Sequence, residues 1–172
     1  MLNTTRRALV TTFSLLLSLS TSTMAREYRG EAPLPTDADE REIAALFDRW
    51  NAALATGDPQ EVAALYAKDG VLQPTVSNWM RVGQGEISNY FESFLKKKPQ
   101  GVINAREIKL LDDDSALDAG IYTFTLHDDQ GGSQQVQARY TYVYEKQDAE
   151  WKISLHHSSA MPEPVPSLAT NN

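Results

Sequence analysis

Beyond Gly101 the hydrophobic period of the chain changes from helical to strand-like and stays so to the end of the last apolar segment. The segments VINAREIKLL, ALDAGIYTFTLH, SQQVQARYTYVYEK and EWKISLHHSS are separated by Asp112-Asp113-Asp114, Asp128-Asp129-Gln130-Gly131-Gly132 and Gln147-Asp148-Ala149. These connections carry turn chemistry at hairpin length, so the C-terminal half is expected to be a four-stranded antiparallel meander. Neighbouring side chains on a strand point to opposite faces. Ala138, Tyr140, Tyr142 and Tyr144 therefore share one face of the third strand, and Arg139, Thr141 and Val143 the other.

The preceding residues read as helices. Thr36 or Asp37 can cap a helix whose apolar positions Ile43, Leu46, Phe47, Trp50 and Leu54 fall on one face, and Gly57 ends it. Asp58-Pro59-Gln60-Glu61 restarts a helix with an acidic cap and a first-turn proline, its inner stripe expected at Val62, Leu65 and Tyr66. Lys68-Asp69-Gly70 then turns the chain into a short strand, Val71 to Val76, which Pro74 marks as edge or bulged. In EISNYFESFLKKK, Ile87, Tyr90, Phe91, Phe94 and Leu95 form an apolar stripe. The lysines at its end suit the negative pole of the helix before Pro99.

The ends of the chain differ from this pattern. Residues 1–25 carry Arg6 and Arg7, an apolar run centred on Phe13 to Leu19, and small residues Thr23 and Ala25 at the places of a cleavable site. An export signal cut after Ala25 is expected, with the twin arginines leaving the folded-protein route open. The product would be periplasmic or secreted, without a stable membrane anchor. Residues 26–36 read as a flexible leader, 37–162 as one domain and 163–172 as a loose tail. Cutting the signal removes two arginines and no acid, so a chain already at net charge −7 becomes more acidic still. That argues against nucleic acid as a partner. The chain has no cysteine, which excludes disulfides, thiolate metal ligands and cysteine nucleophiles.

Candidate chemistry centres on His156-His157-Ser158-Ser159. Strand alternation separates the two histidines, with Trp151, Ile153, Leu155 and His157 on one face and Lys152, Ser154, His156 and Ser158 on the other. No HxH or HxxxH pair replaces them, so neither a metal nor a cofactor is expected. One histidine is expected to face a pocket, where its proton affinity would suit acid–base work if a carboxylate oriented it. Asp118, mid-strand among apolar residues, is the best such acid, with an outward-facing position as its alternative. Arg139 either anchors an anionic or carbonyl-bearing ligand or pairs with Asp118 or Glu107. Tyr122, Tyr140, Tyr142 and Tyr144 line a pocket or pack a core. Trp79 and Arg81, in the loop before the third helix, suit a pocket rim or a subunit contact.

The order of these elements resembles the nuclear transport factor 2-like fold. The segments ALFDRWNAALATGDPQEVAALYAKDGVL, YFESFL and YTYVYEKQDAEWKISLHHSSAMP are similar to the association, or hub, domain of calcium/calmodulin-dependent protein kinase II and its SnoaL-like bacterial relatives. The resemblance runs from about Asp39 to Pro162. It implies an α+β cone, with three N-terminal helices packed on a strongly bent antiparallel sheet and a pocket between them. In the kinase hub, arginines on the sheet hold small carboxylates. The matching positions here are Tyr122, Tyr142 and Ser158, flanked by His157 and Ser159, which match the family's His-Arg-Ser pattern. No glycine-rich or catalytic-loop motif accompanies it, so no kinase activity is implied. Two functions follow as expectations. One is an exported hub-like protein that self-associates through the convex face and holds a small organic ligand, carboxylate or carbonyl-bearing, through Arg139, Tyr122, Tyr142, His157, Ser158 and Trp79. The other is a cyclase- or isomerase-type enzyme using His156 or His157 with Asp118 and Arg139.

Overall fold

The computed structural model describes residues 28–163. The segment expected to be an export signal, and all but the first residue of the expected tail, lie outside the described residues.

Two helices open the domain. Helix α1 (Ala38–Thr56) is capped by the Asp37 carboxylate, which accepts from the Asp39 and Glu40 amides, and it ends at Gly57 in the left-handed conformation. All five apolar positions expected on its inner face are buried. Helix α2 (Pro59–Ala63) starts at its Asp58 cap and Pro59 as expected, but it ends within about a turn. Tyr66 does not extend its stripe. It begins strand β1 (Tyr66–Gln73) instead, because the backbone there is taken up by pairing with the last strand of the sheet.

The expected turn at Lys68-Asp69-Gly70 is a bulge within β1. Between Tyr66 and Val71 the strand spends five steps against two on its partner, and Lys68 and Asp69 are pushed outward. Gly70 is required there, since a β-carbon would lie 2.9 Å from the Ile153 carbonyl oxygen. A two-residue strand β2 (Arg81–Val82) borders β1. Helix α3 (Gly83–Phe94) follows, continued by a tight turn at Leu95–Lys97.

The meander forms as expected: β3 (Gln100–Leu110), β4 (Ser115–His127), β5 (Ser133–Gln147) and β6 (Glu150–Ala160). The strand order is β2-β1-β6-β5-β4-β3. Every pairing is antiparallel except β1 with β6, so the sheet is mixed, and β1 lies inside it rather than at its edge. The turn between β5 and β6 has Asp148 and Ala149 at φ 51° and 63°. Two successive left-handed residues twist the hairpin in the sense that the strands require.

The concave face is built in cross-strand rows. Ile108, Asp118, Tyr142, His156 and Leu72 stand opposite one another in turn, and so do Arg106, Gly120, Tyr140 and Ser158. Phe47 and Trp50 of α1 cap this face, with Phe47 reaching the rings of Tyr122, Tyr140 and Tyr142 and Trp50 those of Phe91, Phe124, Tyr142 and His156. Burying this many aromatic rings is the dominant stabilising term of the domain. Gly120 is required beneath the bulge of β3, because a β-carbon there would come within 1.9 Å of the Ala105 carbonyl oxygen.

The leader departs from expectation over residues 28–36. Gln137 donates to the Tyr28 carbonyl (2.8 Å), Asn104 to the Gly30 carbonyl (2.7 Å), and the Ala32 amide to the Ile103 carbonyl (2.8 Å). These bonds lay the leader across the bulge of β3 and explain why Gln137 and Thr123 are buried on the outer face.

Candidate functional site

A cavity of about 50 Å³ lies between the concave face, α3 and the segment after β1, inside a cleft of about 510 Å³ that includes its mouth. Trp50, Leu72, Phe91, Tyr122, Phe124 and Ala138 wall its interior, while Val76, Tyr90, Phe94 and Val136 reach its rim. Its polar side-chain atoms come from His156, Ser158, Thr75 and Tyr122, together with the Tyr90 hydroxyl and the Trp50 indole N–H, the latter already given to Tyr66. Neither a cation nor a carboxylate lines it.

Of the two histidines, His156 faces in. It is 3% exposed, whereas His157 is exposed on the outer face. Simple alternation grouped Ile153 with His157, but Ile153 opposes Tyr144 and Leu155 opposes Val143, so Ser154 is an unpaired residue. That bulge shifts the parity, and Ile153, His156 and Ser158 come to share the concave face. The expectation that His157 binds a ligand in the cone is corrected accordingly.

The surroundings of His156 define its proton. Trp50 Nε1 donates to the Tyr66 hydroxyl oxygen at 3.2 Å, and that hydroxyl lies 2.9 Å from His156 Nδ1. We assign the Tyr66 proton to Nδ1, the arrangement in which the hydroxyl accepts from Trp50 and donates onward; Nδ1 is then bare and Nε2 carries the hydrogen. Nε2 is buried and has no partner among the described residues. Burial, reinforced by nearby His157, pushes the imidazole down to about 3, so the ring is neutral at ordinary pH. It stacks on Tyr142 with ring centroids 4.1 Å apart.

A second polar group completes the wall. The Tyr122 hydroxyl donates to Ser158 Oγ, and Ser158 shares one hydrogen bond with Thr75 Oγ1. Three hydroxyl protons serve two bonds, so one O–H, on Ser158 or Thr75, is left for whatever occupies the cavity. Burial pushes the Tyr122 hydroxyl above its ordinary range, keeping it protonated.

Asp118 and Arg139 are not part of this site. Asp118 is fully buried, in neither of its expected settings: it does not orient a histidine, and it does not face outward. Its Oδ1 accepts from the Tyr140 hydroxyl at 2.9 Å, and its Oδ2 lies 3.2 Å from Arg106 Nε, off the N–H direction, so the two are ion-paired without a well-aimed hydrogen bond. Burial, outweighing the attraction of Arg106, pushes this carboxyl up to about 6. Arg139 is exposed on the outer face, where Nε donates to Ser159 Oγ at 3.1 Å. It pairs with neither Asp118 nor Glu107. Tyr142 lies under His156 and does not reach the cavity wall, while Trp79 is 63% exposed with the Arg81 guanidinium 4.3 Å from its ring centre. Sequence reasoning missed Arg106, Thr75 and the role of Tyr66. None of the three stands out in the sequence: Arg106 lies in a strand that also carries Asn104, Glu107 and Lys109.

The outer face carries a row of its own. Leu117, Val143, Leu155, Val71 and Val82 oppose one another in sequence across five strands, with Val82 exposed and the others half-buried.

Comparison with known proteins places this geometry. Residues 39–162 match the family model described as calcium/calmodulin dependent protein kinase II association domain. A crystal structure from Xanthomonas campestris, described as such an association domain, is 64% identical over 81% of this chain and 100% of its own, with a TM-score of 0.80. An ntf2-like protein with a cystatin-like fold from Novosphingobium aromaticivorans is 14% identical over 73% of this chain and 84% of its own (TM-score 0.61). A protein assigned as a scytalone dehydratase from the same organism is 15% identical over 75% and 90% (TM-score 0.63). These last two share the fold alone. No curated protein is significantly similar to the chain.

Proposed function

Because the chain belongs to the calcium/calmodulin-dependent protein kinase II association-domain family, we propose that it is an exported, self-assembling protein that holds a small organic ligand in its concave pocket and has no kinase activity of its own. The pocket half of the reading rests on His156. A neutral imidazole is 3% exposed in an apolar cavity with Nε2 unpartnered. A buried donor without an acceptor costs about 1–3 kcal/mol, and a ligand supplies that acceptor. The assembly half rests on the outer apolar row, which no helix among the described residues covers and which a second copy would bury.

The enzyme reading has less to support it. Proton transfer needs a base poised near the working pH, and His156 is held neutral far below it with Tyr66, not a carboxylate, on Nδ1. The chain is proposed to be exported on the strength of residues 1–25.

Mass spectrometry of the purified mature protein under native and denaturing conditions tests the pocket: a small molecule present in the first and released in the second is expected. Its absence, together with no stabilisation by any small organic compound, would overturn that half. Light scattering after size exclusion tests assembly, and a monomer at micromolar concentration would overturn it.

A further inference from the structure

Resting on the pocket reading above, we infer that the ligand is uncharged and carbonyl-bearing, its oxygen accepting from His156 Nε2–H and from the spare hydroxyl of the Ser158–Thr75 pair, with an apolar body lying across the mouth. The argument is one of complementarity. The polar side of the cavity has two hydrogens to give, one on His156 and one left over from Tyr122, Ser158 and Thr75. A carbonyl oxygen has two lone pairs and can take both.

A carboxylate would also accept, but nothing in the wall would balance its charge. Arg139 lies on the opposite face, and Arg106 is committed to Asp118. An unpaired anion in an apolar cavity carries a desolvation cost of several kcal/mol, which two neutral donors do not offset. A pure hydrocarbon fits the walls but leaves both donors unsatisfied.

Size sets the rest. The enclosed part, about 50 Å³, takes a group no larger than a few waters, such as an acetyl end. Anything longer must run out past Val76, Phe94, Val136 and the Tyr90 ring, a rim that is mostly apolar and open to one side.

The test uses three probes of one length on the mature protein at neutral pH: 2-heptanone, heptanoate and 1-heptene. Affinity is followed by thermal shift and by the ¹⁵N resonances of the His156 ring. The ketone is expected to bind at least about tenfold more tightly than either of the others and to move the Nε2–H signal. The variant His156→Gln, which keeps an N–H donor, should retain a preference for the ketone. His156→Leu should keep only the smaller preference for the ketone that the Ser158–Thr75 hydroxyl alone provides. Heptanoate binding as well as the ketone, or the alkene matching it on the unmodified protein, would overturn the carbonyl assignment and leave the pocket standing. If none of the three binds, the carbonyl assignment falls, while the pocket reading stands or falls on the mass spectrometry above.

Discussion

The Tyr66 hydroxyl lies 2.9 Å from His156 Nδ1, joining the first residue of β1 to the inner row of β6 within the parallel pair of the sheet. With Tyr66 as the donor the imidazole hydrogen lies on Nε2, and the same hydroxyl accepts from Trp50 of α1 at 3.2 Å. One phenol therefore ties the helix, the first strand and the last strand together at the pocket floor. Tyr66→Phe keeps the ring packing and removes both bonds, leaving the indole N–H and Nδ1 buried without partners. The expected loss is about 2–4 kcal/mol by urea denaturation. A loss below about 0.5 kcal/mol would mean that water replaces the hydroxyl.

Two buried groups give stability opposite dependences on pH. The folded-state value of His156, pushed from 6.5 down to about 3, lies below its unfolded value, so its contribution is present above about 6.5 and is lost as pH falls toward 3. The folded-state value of Asp118, pushed from 3.8 up to about 6, lies above its unfolded value, so its contribution is present below about 3.8 and is lost as pH rises through 6. Urea midpoints measured from pH 4 to pH 8 should show the acid-side loss flattened in His156→Gln. In Asp118→Asn the loss between pH 4 and pH 6 should steepen, because the opposing group has gone. Parallel curves for the three proteins would contradict both assignments.

What could be read from the sequence depended on whether period alone fixed the answer. The meander, the inner face of α1 and the tyrosine stripe all follow from uninterrupted periods, and all form. The errors fall at bulges. Ser154 shifts the parity of β6, so His156 rather than His157 faces in, and three inserted residues let Tyr66 belong to a strand although it falls on the helical stripe of Val62. A bulge has no residue signature when the inserted side chain is an ordinary polar one, and it reverses every assignment beyond it. Arg106 was missed for a related reason: Asn104 is the unpaired residue of β3, and the charge after it turns inward against Asp118.

The Arg106–Asp118 pair should behave as a unit. With side-chain exposures of 8% and 0%, each ion depends on the other for compensation. Arg106→Met leaves a buried carboxylate with Tyr140 alone and should cost about 3–5 kcal/mol, with Asp118→Leu similar. The double variant should recover most of one of these losses, giving a coupling energy above about 1 kcal/mol in a double-mutant cycle. Strict additivity would show that solvent reaches the pair.

The β5–β6 turn leaves stability to be gained. Ala149 holds φ at 63°, a conformation that costs a side-chain-bearing residue about 1 kcal/mol and glycine almost nothing. Because the turn sets the register of the strand that carries His156, Ala149→Gly is expected to raise the melting temperature without altering ligand affinity. A fall in melting temperature would mean that the unfolded-chain entropy added by glycine outweighs the relief.

Val143 is the second member of the outer apolar row, opposite Leu117 on one side and Leu155 on the other. In a two-fold assembly each copy contributes this row once, so one substitution places two like charges in the interface. Val143→Glu points away from the pocket and the aromatic core, so the monomer fold should survive it while burial of the charge would not be compensated. Light scattering should then report the unmodified protein as an oligomer and the variant as a monomer, with the same circular dichroism and the same response to 2-heptanone. An oligomer that persists in the variant would move the interface to another surface. A variant that loses the ketone response along with assembly would show that the pocket is complete only in the assembled state.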